Sequence, residues 1–290
     1  MNVAVIGASG LIGSHILAAA KRRDWKTTGT FCAHPQEGMV PLHMEHPQEI
    51  TAFLGKHQPD VVFLCAFQAK VDECELHPEQ TRYINVEGNR NVIDAAQRAG
   101  IRIVYFSSDY VFDGTQGPYR ETDSPNPLSE YGRQKLAIEH LLAERSPLNL
   151  IIRTTTVYGW EIQEKNFLYQ VLRAMKNNKD LPVPTDQIGT PTLAEDLAEA
   201  SLDLAERNAS GIFHIAGPDL LSRFAFAGAI TDAFGLPKNH LKPITTSDRK
   251  QEAGRPLKSG LLCEKASGLL IDWKRRNVYE GLSYLQSNRP

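Results

Sequence analysis

The 290-residue chain lacks the features that mark several broad classes of protein. Its four cysteines, Cys32, Cys65, Cys74 and Cys263, are widely scattered. None forms a C-x-x-C pair, and no histidine cluster completes a metal site, so no metal ion is expected. Free thiols in a reducing cytoplasm are the expectation instead. No apolar run approaches the ~20 residues that span a bilayer. The N-terminus runs directly into "NVAVIGASG", without the basic segment and apolar stretch of a signal peptide. Neither sign of charge is in excess: 32 Lys and Arg against 34 Asp and Glu give a formal net charge of -2. No global field therefore recruits nucleic acid or an anionic membrane surface. Internal repeats and low-complexity linkers are also missing. What is left is a cytoplasmic globular chain with 41% hydrophobic residues, long enough for one large domain or two coupled ones.

The first half alternates short apolar runs with longer amphipathic ones. "NVAVIG" (2–7), "KTTGTF" (26–31), "DVVFLCA" (60–66), "IRIVYFSS" (101–108) and "NLIIRT" (149–154) predict strands. Helical periodicity falls at about 11–23, 46–57, 79–99 and 129–145. Apolar strands separated by helices predict an α/β fold with a doubly wound parallel sheet covered on both faces. After Thr154 the rhythm changes. Helices at about 165–178, 192–207 and 222–234 are joined by loops with Pro and Gly, and "GIFHIAG" (211–217) is one strand. Residues 1–156 are thus expected to form the nucleotide-binding domain and 157–290 a smaller α/β substrate-binding region. A return near 190–210 to the first domain is expected.

"VAVIGASGLIG" carries Gly7, Gly10 and Gly13 directly after a strand and at the opening of a helix. Gly7 permits the tight turn, Gly10 lets backbone approach a pyrophosphate, and Gly13 lets helix and strand pack closely. The helix N-terminus offers free N–H groups to the phosphates. This pattern predicts dinucleotide binding in a Rossmann-like fold. An NAD site usually places a carboxylate at the end of the second strand, on the ribose hydroxyls. Here that stretch reads "TFCAH" (30–34), with no carboxylate, and His34 is the nearby candidate for a 2′-phosphate. NADP(H) is therefore expected in preference to NAD(H).

Strand "IRIVYFSS" delivers Ser107 and Ser108 to its C-terminal end, where ligands bind in open α/β sheets. Downstream lies a helix with Tyr131 and Lys135 on one face, four positions apart. Asn126-Pro127 fits its start, with Asn as N-cap and Pro at the first helical position. A phenol with a reference pKa of ~10 is a poor acid near neutrality, and a nearby ammonium favours the phenolate. The same ammonium can hold a nicotinamide ribose, while a serine hydroxyl orients the substrate oxygen.

With these residues in place, the chain resembles the extended short-chain dehydrogenase/reductase family, and within it the dTDP-4-dehydrorhamnose reductases. The resemblance runs nearly end to end: "GASGLIG", "PDVVFLCAFQAKVDECE" (59–75), "INVEGNRNV" (84–92), "YFSSDYVFDG" (105–114), "RTTTVYG" (153–159), "DQIGTPT" (186–192) and "RPLKSGLLCEK" (255–265). It implies catalysis by Ser108, Tyr131 and Lys135, with Tyr131 protonating the C4 oxygen of a 4-keto nucleotide sugar, most readily a dTDP-sugar. It implies that Ser9, Leu11, Ile12, Cys65 and Ala66 join the three glycines at the cofactor. It places Val71, Asp109, Val111, Asn166, Phe167, Gln187 and Arg255 at the substrate.

Among the cations of the second half, Arg153, Lys165, Arg223, Arg255 and Lys258 are candidates for the sugar-nucleotide diphosphate. Arg255 leads because it lies in the "RPLKS" match and a guanidinium pairs bidentately with phosphate. The sequence departs from the family at Ser108 (usually Thr), at Gln68-Ala69 (usually Tyr-Thr) and at His43 (commonly Asp). Sibling dehydratases carry an Asp-Glu pair after the Ser/Thr; here Asp109 is followed by Tyr110, so the elimination base is missing. Epimerases share Ser, Tyr and Lys. Other relatives are NADP-binding regulatory subunits, such as the partner of methionine adenosyltransferase. A homodimer stays open.

Overall fold

The computed structural model describes residues 1–289. The first half contains β1 (Asn2–Ile6), α1 (Leu11–Arg22), β2 (Lys26–Phe31), β3 (Val40–Pro41), α2 (Pro47–His57), β4 (Val61–Leu64), α3 (Val71–Leu76), α4 (Pro78–Arg82), α5 (Gly88–Arg98), β5 (Arg102–Ser108), α6 (Glu130–Arg145) and β6 (Leu150–Thr154). The second half contains β7 (Val157–Tyr158), α7 (Phe167–Lys176), β8 (Leu181–Pro184), β9 (Ile188–Gly189), β10 (Thr192–Leu193), α8 (Ala194–Glu206), β11 (Gly211–His214), β12 (Leu221–Ser222), α9 (Arg223–Ala233), β13 (Leu241–Ile244), α10 (Glu264–Leu269) and α11 (Val278–Ser287).

Seven parallel strands run in the order β11-β6-β5-β4-β1-β2-β3. The order reverses between β1 and β4, which opens a crevice at their C-terminal ends. The strands are apolar on both faces because both faces are covered. Val3, Val5, Val61, Phe63, Val104 and Phe106 point to one layer, with Ile16 and Ala20 of α1 and Leu197 of α8. Ala4, Ile6, Val62, Leu64, Ile103 and Tyr105 point to the other, with Phe53 of α2, Ile93 of α5 and Ile138 of α6. α8 packs on α1, and β11 adds the edge strand beside β6. α7, α9 and α11 form a separate apolar cluster around Phe167, Val171, Phe226, Ile230 and Leu282, while Ala266 of α10 joins the sheet core.

Three local expectations change. The 79–99 helix is interrupted by a π-helical turn over Tyr83–Glu87 between α4 and α5. α6 starts at Glu130, not at Pro127: Ser129 is the N-cap and accepts from the Gly132 N–H at 3.3 Å. Asn126 lies four residues before the helix, and its amide donates to Asp113 at 3.0 Å. α11 went unread although Asn277 and Glu280 form a capping box at its start. Trp160 and Trp273 pack inside the second half, donating their indole N–H groups to the carbonyls of Leu285 and Asp196.

Arg153 is neither a surface charge nor a diphosphate ligand. It lies in β6 with its side chain 2% exposed, and both its Nε and Nη2 donate to Glu139 of α6, at 3.0 and 2.6 Å. A parallel strand buried on both faces leaves a long cation nowhere to go but to a buried anion. Breaking such a pair costs more than replacing it, since the surviving charge stays in a dry site. Glu139→Gln should therefore lower unfolding stability by about 3–5 kcal/mol. The double variant Arg153→Met/Glu139→Leu should lose clearly less; equal losses in denaturant titrations would contradict this account.

Candidate active site

The glycine-rich turn is built for close approach. Gly7 has φ +85°, and a Cβ there would stand 2.7 Å from the Ala66 nitrogen at the end of β4. A Cβ at Gly13 would overlap the Gly7 carbonyl. Gly10 caps α1 with no side chain, and the first turn, which includes Leu11 and Ile12, has no acidic residue. The first N–H groups of a 12-residue helix therefore face the crevice with nothing of the protein on them. Cys65 and Ala66 line the facing strand end; burial pushes the Cys65 thiol far above its usual pKa. A dinucleotide pyrophosphate fits this cradle.

Ser108 ends β5, and Tyr131 and Lys135 come from the first turns of α6. The helix can approach because residue 132 is glycine: a Cβ there would overlap the Tyr110 carbonyl. The Tyr131 ring is held edge-on by Phe67 and by Tyr110, each with centroids 5.4 Å away. Burial pushes its phenol far above the usual pKa, and hydrogen bonding to Ser108 acts in the opposite sense. Ser108 donates to Asp109 Oδ1 at 3.0 Å and accepts from the Tyr110 N–H at 3.3 Å. Thr155 and Ser259 donate to the other Asp109 oxygen at 2.7 and 2.6 Å. Burial raises the Asp109 pKa despite these three hydroxyls.

Lys135 behaves differently from the expected polariser of the phenol. Its Nζ donates to the Phe106 carbonyl at 2.8 Å and sits 3.7 Å from the Phe67 ring centroid. The Tyr131 ring centroid is 5.9 Å away. Spacing of i and i+4 sets the two on one face, but the longer side chain runs on to the strand. Burial pushes the Lys135 pKa down to about 7; the nearby Cys65, Glu139 and Cys74 only partly counter it.

A neighbouring cavity is lined by Asp109, Tyr110, Thr156, Gln187, Arg223, Pro256 and Ser259, among others. Arg223 opens α9, and its guanidinium lies 4.6 Å from the Phe167 ring centroid. Among the described residues no carboxylate forms an ion pair with it; burial lowers its pKa, and the nearby Tyr110 and Asp109 partly counter that. Arg255, by contrast, is bound to Asp72 at 2.8 Å with its side chain 8% exposed. Gln187 pins its own loop by donating to Thr246 at 3.1 Å. Asn166 caps α7, accepting from the Leu168 N–H, and its amide holds the Gly159 carbonyl. Val71 begins α3 half-buried at the crevice edge, and Val111 is fully buried against Phe112 and Tyr119. Val111 therefore shapes the site from behind.

Two arrangements were not legible from the sequence. His34 does not stand alone: the Lys165 ammonium lies 3.3 Å from its Nε2, which takes Lys165 away from the sugar side. His43, His46 and Glu49 also gather on the exposed start of α2, with donor atoms within 4.8 Å of one another. Glu49 accepts from both imidazoles, and the His46 hydrogen bond holds its carboxyl below the usual range. Of the thiols, Cys32 is exposed, while Cys74 and Cys263 are buried. No helix among the described residues is long and apolar enough to cross a membrane.

Lys135 has a measurable consequence. An anionic dinucleotide bound beside it stabilises the protonated amine and raises its pKa from about 7. Dinucleotide affinity should then fall as pH rises above 7, with proton uptake on binding near pH 8, read by calorimetry in buffers of different ionisation enthalpy. Lys135→Met should flatten that dependence; an unchanged slope would remove Lys135 from the binding equilibrium.

Comparisons with known proteins agree with this geometry. A family model described as the RmlD substrate binding domain matches residues 1–283. The beta subunit of methionine adenosyltransferase 2 from Bos taurus is 31% identical over 93% of this chain and 83% of its own. A dTDP-4-dehydrorhamnose reductase structure from Clostridium acetobutylicum superposes with a TM-score of 0.88 at 30% identity, covering 99% of both chains. The dTDP-4-dehydrorhamnose reductase of Bacillus anthracis, solved in complex with NADP, gives a TM-score of 0.88 at 26% identity, covering 98% of both. The chain therefore belongs to the RmlD substrate binding domain family of extended short-chain dehydrogenase/reductases.

Proposed function

We propose that this protein is an NADPH-dependent reductase of a 4-keto nucleotide sugar, with a dTDP-sugar as the first candidate. The observation that carries this reading is the meeting of Ser108, Tyr131 and Lys135 at the switch-point crevice, with Tyr110 in place of an elimination base. When bound, the nicotinamide supplies hydride to the substrate carbonyl carbon. Tyr131 is the proton donor to the developing C4 alkoxide. Its high pKa keeps the phenol protonated through the neutral range, which suits the reductive direction. Lys135, turned toward the Phe106 carbonyl, holds the nicotinamide ribose with its remaining N–H groups and offsets the phenolate left behind. Ser108, fixed by Asp109, keeps the phenol and the substrate oxygen in register. Arg223, without a carboxylate partner, is the leading cation for the substrate diphosphate, with Arg255 beside it.

The methionine adenosyltransferase relative favours a second reading, an NADP-binding regulatory subunit. The two differ in turnover: reduction consumes NADPH with a 4-keto nucleotide sugar, regulation does not. An epimerase is separated by the same assay, because it returns its cofactor unchanged.

Tyr131→Phe should lower kcat by about 10²–10⁴ while leaving NADPH affinity nearly intact. Wild-type turnover by this variant would defeat the mechanism. Arg223→Ala should raise the nucleotide-sugar KM about tenfold with a smaller change in kcat, since it removes one charged hydrogen-bond donor from bound diphosphate. An unchanged KM would take Arg223 out of the site.

A further inference from the structure

The loop between β7 and α7 belongs to the second half of the chain but lies on the glycine-rich turn of the first. The Gln163 side-chain amide donates to the Ser9 carbonyl at 2.9 Å. Gln36, from the segment after β2, reaches the same carbonyl at 3.4 Å. Lys165 follows, with Nζ 3.3 Å from His34 Nε2 and a second hydrogen bond to Gln163 Oε1. Among the described residues no carboxylate pairs with Lys165. Glu161 accepts instead from the backbone N–H groups of Lys165 and Asn166, and Glu164 pairs with Arg173. At 3.3 Å from an imidazole nitrogen the ammonium has a long hydrogen bond and no compensating negative charge.

The location gives this arrangement meaning. His34 stands just past the end of β2, where the adenosine ribose falls in a doubly wound nucleotide site. A carboxylate there would accept from the 2′-hydroxyl and repel a 2′-phosphate. This chain offers N–H donors and a free cation instead. We propose that Lys165, carried across by the second half of the chain and flanked by His34, reads the 2′-phosphate of the cofactor. The proposal rests on the nicotinamide-dinucleotide reading above and adds the residue that sets its specificity. Sequence spacing hides it, because Lys165 and His34 are 131 positions apart. On binding, the Lys165 ammonium exchanges its bond to His34 for a charge-assisted bond to phosphate, while Gln163 keeps the loop on Ser9.

The test reads the adenosine end alone. The full chain is titrated with 2′,5′-ADP and with 5′-AMP, then with NADPH and NADH. Wild type should bind each 2′-phosphorylated ligand about tenfold or more tightly than its partner, given the worth of a charged hydrogen bond. Lys165→Ala should remove most of that difference while leaving 5′-AMP and NADH affinities within about twofold. Lys165→Glu should invert the preference, and Lys165→Arg should retain it. Added salt should shrink the wild-type preference, because the residue is exposed. Loss of affinity for both ligand types alike, or no change in either, overturns the proposal, as does a wild type without preference. Intact discrimination without turnover of any 4-keto sugar would refute the reductase reading and leave this one standing. Reduction of such a sugar with discrimination untouched in Lys165→Ala would do the reverse.

Discussion

A Cβ at residue 132 would overlap the carbonyl of Tyr110, and the rest of the site depends on that missing atom. It lets the first turn of α6 rest on the chain just after β5. Only then do the phenol of Tyr131 and the hydroxyl of Ser108 meet, although they come from different elements. The same closeness presses Tyr131 between Phe67 and Tyr110 and strips water from it, which is why its pKa rises. Placement and acidity thus have one cause. Ser129, capping the helix one turn earlier, fixes where that turn begins.

The protein holds its buried cations in three ways, and the differences locate function. Arg153 is matched by Glu139 and sealed in the core. Lys135 has no carboxylate partner, and burial brings its pKa to about 7, so its charge responds to what binds beside it. Arg223 rests on Phe167 with no anion of its own. A cation with a built-in partner has its electrostatics settled at folding. One without a partner keeps an unmet need for negative charge; Arg223 lines the cavity beside Asp109, and Lys135 lies beneath Tyr131 against the end of β5. Arg255 lies between these cases, because Asp72 competes for it.

Features encoded within a few residues were legible in the sequence. The glycine turn, the apolar strands and the i, i+4 pair on α6 are local patterns, and the sheet follows from them. The cap of α6 was ambiguous because two good capping residues stand three apart, and the structure uses Ser129. The partners of Arg153, Asn166 and Lys165 were not legible for a related reason. Each is a polar side chain whose partner lies across the fold, and nothing local tells a buried ion pair from a ligand contact. Arg153 resembles a surface charge until β6 is known to be covered on both faces. Lys165 resembles a sugar-side cation until its loop is seen lying on Ser9.

The physical state of the site bears on whether the chain turns over a substrate or only binds a nucleotide. A nucleotide-binding module needs the glycine turn, the uncapped helix and an adenosine end. It has no use for a half-buried phenol beside Ser108, nor for Arg223 held over an aromatic ring without a carboxylate in ion-pair contact. Each of those groups is only partly covered and has polar or charged capacity that the surrounding side chains leave partly unmet, at a cost in stability unless something arrives to use it. Arg223 lines a cavity with Asp109, Tyr110 and Gln187, and the Tyr131 ring packs edge-on against the same Tyr110, so a second ligand would sit beside both. A site that carries these costs on its substrate side is arranged for a reaction rather than for cofactor storage, and that arrangement favours the reductase.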